Sequence, residues 1–218
     1  MKPRAVISDL DGTLLDTIDD LADSMNAVLR RFGQPEHPVD AYRTFVGDGV
    51  HKLVERAFPE HVLDGEGLKE AVAAMREEYA ARFDVKSRPY PGIKQMLTGL
   101  FDRKIPVAIL SNKPDDFTQL TVARLLPDFS FATVLGVRQG VPKKPDPTAA
   151  IALGESLGIP PAEIVYIGDT NTDMETAVGA GFIPVGVLWG FRGADELLAS
   201  GARELIAGPT DLLKIFDS

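Results

Sequence analysis

Short apolar runs recur along the chain, and each ends in a polar or glycine-containing turn. The run 5–7 ends at Ser8-Asp9, 105–110 at Ser111-Asn112, 132–135 at Gly136, 164–167 at Gly168-Asp169, and 183–188 at Trp189-Gly190. These runs are apolar at nearly every position rather than at every second one. That pattern predicts strands buried on both faces, as in a parallel sheet. Between the runs, apolar residues fall at helical spacing. Phe117, Leu120 and Arg124 share a face, with Leu125 beside them. Ala150, Ile151 and Leu157 make a second face that Gly158 ends, and Met174, Ala177 and Val178 a third that Gly181 ends. Glycine is the residue best suited to the left-handed turn that closes a helix. Strand alternating with helix predicts an α/β fold with a doubly wound, mainly parallel sheet, a Rossmann-like core.

Residues 16–88 break the alternation and read as wholly helical. Leu21, Met25, Val28, Leu29 and Phe32 form one stripe, stopped by Gly33. Val50, Leu53, Val54 and Ala57 form a second, and Leu68, Val72, Met75 and Tyr79 a third. Three amphipathic helices can bury their stripes against one another. The proline-rich stretch Arg88-Pro89-Tyr90-Pro91-Gly92 then returns the chain to the core. The expected organisation is a catalytic core of residues 1–15 and 89–218, interrupted by a helical cap insert of residues 16–88. No internal repeat or low-complexity tract is visible.

Composition narrows the chemistry. The 218 residues are 44% hydrophobic and 25% charged, the balance of an ordinary globular protein. The formal net charge of −9 disfavours nucleic acid and anionic membranes as partners, while leaving room for a local cationic pocket. There is no cysteine, which excludes a disulfide, a thiolate zinc site and a cysteine nucleophile. No apolar run is long enough for a signal peptide or a membrane span, so a cytoplasmic location is expected.

The polar groups at the ends of the runs are the candidate chemistry. Asp9-Leu10-Asp11-Gly12-Thr13 carries two carboxylates in a turn, one able to attack or hold a metal while the other manages protons. A calcium loop of the EF-hand type would need glycine and glutamate where Leu14 and Asp20 stand. Gly168-Asp169-Thr170-Asn171-Thr172-Asp173 brings two more acids one helical turn apart. Helix capping accounts for one of these comfortably. Four acids at two strand ends repel one another and call for a cation. Magnesium, which favours carboxylates, waters and phosphate oxygens, suits them better than zinc. Ser111 and Asn112 can hydrogen-bond phosphate oxygens, although both also favour plain turns. Lys143-Lys144-Pro145 offers cations on a stiffened loop, or simply an exposed basic turn.

Taken in order, DxDGT, SN, KKP and GDxxxD resemble the haloacid dehalogenase-like superfamily of phosphohydrolases over nearly the whole chain. Gly47-Asp48-Gly49-Val50 and the tail Gly186-Val187-Leu188-Trp189-Gly190-Phe191-Arg192 look like its phosphoglycolate phosphatase branch. The resemblance implies Asp9 as nucleophile, forming an aspartyl-phosphate, and Asp11 as the acid and base. It implies Mg2+ held by Asp9, the backbone carbonyl of Asp11 and Asp169, with Asp173 supporting the ion indirectly. Ser111 and Lys144 would bind the phosphoryl group, with Asn112 a nearby contact; Lys144 is chosen over Lys143 because it directly precedes Pro145. Asp11 favours phosphate over halide chemistry. The insert would be a mobile cap hinged at Asp16-Thr17 and Arg88-Pro89, with Gly47 and Gly49 near substrate.

Arg43, Lys52 and Arg56 could serve an anionic substrate or simply be solvated. Trp189 and Phe191 fit packing or an interface better than a substrate stack, and the three histidines receive no role. The implied partner is a small phosphorylated metabolite, phosphoglycolate first, acted on by a monomer or homodimer. A sugar phosphomutase, a phosphatase for pyrophosphate, nucleotides or phosphosugars, and a non-catalytic phosphoacceptor module are the competing readings.

Overall fold

The computed structural model describes residues 2–217. Six strands form one parallel sheet: β1 (Ala5–Ser8), β4 (Val107–Pro114), β5 (Thr133–Val137), β6 (Ile164–Gly168), β7 (Ile183–Val187) and β8 (Glu204–Ile206), in the order β5-β4-β1-β6-β7-β8. Successive side chains on a strand point to opposite faces, and both faces are covered. Val6, Val107, Ile109, Val165 and Ile167 pack on one side with Ile93, Met96, Leu97 and Leu100 of α5 (Ile93–Asp102) and Leu212 of α10 (Leu212–Ile215). Ala5, Ile7, Ala108, Leu110 and Tyr166 pack on the other with Leu153 of α7 (Thr148–Leu157) and Ala177 of α8 (Asn171–Gly179). Two-sided cover is why the strands read as unbroken apolar runs. The expected doubly wound α/β architecture is present.

Several local expectations need correction. Leu120 on α6 (Asp115–Leu125), Ile151 on α7 and Val178 on α8 are exposed, so the apolar helix faces drawn through them were too wide. Ser111 and Asn112 do not form a turn. They continue β4, whose pairing with β5 shifts register between Leu110 and Pro114. The edge strand β8 is too short and too polar at Glu204 to stand out as an apolar run.

Between β1 and β4 the chain makes four helices rather than three: α1 (Ile18–Arg31), α2 (Val39–Phe45), α3 (Val50–Ala57) and α4 (Gly65–Ala80). The missed helix, α2, has seven residues and buries only Tyr42, too little for a stripe. These helices share their own core, with Leu21, Met25, Leu29, Leu53, Val54, Met75 and Tyr79 among its members. Each such side chain removed from water contributes about 1.5–3 kcal/mol. The chain leaves and returns through a small antiparallel ladder in which β2 (Leu15–Asp16) pairs with β3 (Arg88–Pro89). Asp20, 1% exposed, accepts the backbone N–H groups of Lys86 (3.0 Å) and Ser87 (2.7 Å), fixing the returning strand to α1. No helix among the described residues is long and apolar enough to cross a membrane.

Candidate active site

Strand order reverses direction at β1, which has β4 on one side and β6 on the other. In an open α/β sheet the crevice beyond the carboxyl ends at such a point is where ligands bind. The Asp9 N–H still pairs with Ile167 O (3.0 Å), so Asp9 is held on the sheet one residue past the strand. Asp169 follows β6 in the same way, and α8 begins two residues later.

Asp9, Asp169 and Asp173 each offer a carboxylate oxygen, and the three oxygens lie within 4.8 Å of one another. All three side chains are buried. Asp169 is fixed from two directions: Thr13 Oγ1 donates to its Oδ1 and the Phe191 N–H to its Oδ2, both at 2.8 Å. Two glycines make this possible. Gly12 has φ of +85°, and a Cβ there would meet Asp169 Oδ2 at 2.3 Å. A Cβ on Gly190 would fall 2.2 Å from that of Asp169. Only glycine permits both approaches.

Asp173 completes a capping box at the start of α8, accepting from Thr170 N at 3.1 Å and Thr170 Oγ1 at 2.8 Å. Its other oxygen accepts from Lys144 Nζ at 2.6 Å. Lys144, 3% exposed, also stands 2.9 Å from Asp9 Oδ1 as an ion pair. Asp9 Oδ1 itself is buried with no hydrogen bond. Capping and site-building are therefore both true of Asp173.

The electrostatics show what this cluster lacks. Burial and then the Asp173 charge raise Asp9 to about 7, against the pull of Lys144. Burial, Asp173 and Asp9 hold Asp169 well above the usual carboxylate range. Burial disfavours the Lys144 charge, but Asp173 and Asp9 outweigh it and push the ammonium up. One lysine does not balance three buried acids. Three converging buried carboxylates, an all-oxygen donor set with one lysine to balance it, fit a hard divalent cation such as magnesium.

Beside the cluster lies a cavity of about 70 Å³, lined by Asp9, Asp11, Ser111, Asn112, Lys113 and, from the helical insert, Val46, Gly47, Leu53, Met75 and Tyr79 among others. Asp11 is not in the three-acid group. Its carboxylate accepts from Lys113 Nζ at 2.6 and 2.8 Å. Burial disfavours the Lys113 charge, while Asp11 and Tyr79 raise it by more. Asn112 is a clamp: its Nδ2 donates to Gly47 O and Lys144 O, each at 3.0 Å, tying the insert, β4 and the lysine loop together.

Other contacts hold the insert over this floor. Arg43 Nη1 donates to Gly190 O at 3.1 Å, Arg192 Nη2 to Val46 O at 3.0 Å, and Lys143 Nζ to Asp48 O. Arg43 thus serves as a strut; Arg56 pairs with Asp48 and Lys52 with Glu55. Phe191 packs into the insert's core, and Trp189 Nε1 donates to Thr13 O at 2.9 Å. Lys113, Thr13 and Tyr79 are the site residues that received no role from sequence. Thr13 and Lys113 stood inside or next to quoted motifs, while Tyr79 read only as part of an apolar stripe.

The family model described as haloacid dehalogenase-like hydrolase matches residues 6–187. The chain is 31% identical to a phosphoglycolate phosphatase of Pseudomonas putida over 220 residues, covering 96% of this chain and 80% of the relative. It is 30% identical to a phosphoglycolate phosphatase of Xylella fastidiosa, over 89% and 84% respectively. The crystal structure of a predicted phosphoglycolate phosphatase from Haemophilus somnus superposes with a TM-score of 0.91 at 27% identity, covering 99% of this chain and 98% of the other.

Proposed function

This chain belongs to the haloacid dehalogenase-like hydrolase family, and on that premise we propose that it is a magnesium-dependent phosphatase for a small phosphorylated metabolite in the cytoplasm. The observation that carries this reading is the convergence of Asp9, Asp169, Asp173 and Lys144 in one buried crevice. Phosphoglycolate is the leading substrate, from the names of the relatives.

In this mechanism a carboxylate oxygen of Asp9 attacks phosphorus, and the ester P–O bond breaks. Asp11 gives its proton to the departing alkoxide. Asp11 then takes a proton from water, whose oxygen attacks the phosphorus of the aspartyl-phosphate and frees Asp9. Ser111 and Lys144 hold the phosphoryl oxygens, and Asp173 keeps Lys144 aimed at them. Asp9, Asp169 and the backbone carbonyl of Asp11 would hold the magnesium ion, which supplies charge neutralisation that lets an anion approach a phosphate. The helical insert excludes bulk water from the crevice, which strengthens each of these charge interactions.

The test is phosphate release from a panel of small phosphate monoesters, with magnesium and with excess chelator. Turnover that requires the cation is expected. Full rates in chelator refute the metal role, and no release from any ester refutes the phosphatase reading.

A further inference from the structure

Two groups in the cavity are not used by the mechanism above. Lys113 is a buried cation, 8% exposed, on β4 just past Ser111. It points its ammonium at Asp11 and stands 4.8 Å from the ring centre of Tyr79. Tyr79 comes from α4 of the insert, is 4% exposed, and its hydroxyl has no hydrogen-bond partner. A buried polar group left unpaired costs free energy that a bound ligand can recover. Burial pushes the Tyr79 phenol up to about 12, so it remains a donor at neutral pH.

The other cations near the cavity are engaged elsewhere. Lys144 is taken by Asp9 and Asp173, and Arg76 pairs with Asp116 at 2.6 Å. The remaining wall is apolar, with Leu21, Val46, Val50, Leu53, Met75 and Phe117. A substrate whose leaving group carried a second negative charge would meet Asp9 and Asp11 on the floor and hydrocarbon overhead. Lys113, shared with Asp11, and Tyr79 are the buried polar groups placed to receive it, whereas Arg76 is held at the exposed rim by Asp116. About 70 Å³ offers room for a few water-sized groups, which fits the four heavy atoms that a CH2–COO− group places beyond the ester oxygen.

Resting on the phosphatase reading, we propose that Lys113 and Tyr79 form a subsite for a carboxylate on the leaving alcohol and so select a small carboxylated phosphate monoester. The ammonium supplies charge and the phenol an aimed O–H. The incoming carboxylate also shares Lys113 with Asp11. That loosens Asp11 from the Lys113 ammonium as the leaving oxygen arrives, so the preference falls on kcat as well as KM.

The test compares kcat/KM for 2-phosphoglycolate and for ethyl phosphate, in which a methyl group replaces the carboxylate. The wild type is expected to prefer the carboxylated ester by about 100-fold or more, since a site built to hydrogen-bond a polar group rejects the analogue lacking it. Tyr79→Phe is expected to cut that ratio about tenfold, and Lys113→Met to bring it close to one. A structural role alone would lower both substrates together and leave the ratio unmoved. Ratios in both variants equal to the wild type's overturn the proposal. If Lys113→Met does not fold, the Tyr79→Phe ratio decides by itself, because removing an unpaired buried hydroxyl does not weaken the fold. A wild type that hydrolyses both esters equally refutes the subsite and leaves the phosphatase reading standing. One that hydrolyses neither removes both.

Discussion

The floor and the roof of the cavity are built on different principles. On the floor two acids of the cluster are gripped by backbone and side-chain donors, while the third, Asp9, faces the Lys144 ammonium. Asp169 has Thr13 and Phe191, and Asp173 has Thr170 and Lys144. On the roof the helices present hydrocarbon, one unpaired phenol and backbone carbonyls that accept from Asn112 and Arg192. A floor locked in place can run one reaction whatever lies above it. A roof that is mostly apolar surface can change its leaving-group preference through one or two polar residues. The two halves should therefore fail differently when altered.

The largest effect is expected from the floor. Asp9→Asn should lower phosphate release at least about 10³-fold, as loss of a nucleophile does, while far-UV circular dichroism stays that of the wild type. Near-normal rates would mean that another group attacks phosphorus. Gly190→Ala comes next. Its methyl group would have to displace the Asp169 side chain, so overpacking should cost about 1–3 kcal/mol of stability by denaturant titration. Activity should fall about 10–100-fold with it, as the acid loses its setting. A variant as active and stable as the wild type would show that Asp169 is free to move.

A pH series sharpens the same point. With no cation present Asp9 titrates at about 7, raised by burial and by Asp173. Below that value the carboxyl carries a proton that a cation must displace, and Asp169 is raised as well, so magnesium affinity should weaken as pH falls, by about tenfold per unit or more between pH 7 and 5. Calorimetric titration with magnesium measures this, and an affinity level across pH 5–8 would contradict the charge balance described for the cluster.

The smallest effect is expected at the roof. Arg192→Ala removes the bond to Val46 O and loosens the insert over the floor. KM should rise a few-fold with kcat little changed. A loss confined to kcat would place Arg192 in the chemistry instead.

Much of the floor was legible in the sequence because strand-end chemistry is local. An apolar run followed by Asp9 or Asp169 marks both the strand and the crevice it opens into. The bonds that tune those acids were not legible. Lys113 meets Asp11 across 102 positions, and Thr13 meets Asp169 across 156. Nothing in either motif names its partner. Tyr79 was hidden for a different reason. An aromatic on an apolar stripe reads as core, and only the surroundings of its hydroxyl show that one end is unpaired. The helices of the core misled where Leu120, Ile151 and Val178 extended a stripe onto the solvent side. In the insert, α2 was too short for any periodicity to register.

The most direct test is diffraction from crystals grown with manganese, whose anomalous signal locates a divalent cation standing in for magnesium. A strong peak between the carboxylates of Asp9 and Asp169 is expected. A fully resolved crevice with no peak there, or a peak only at surface acids, would contradict the account.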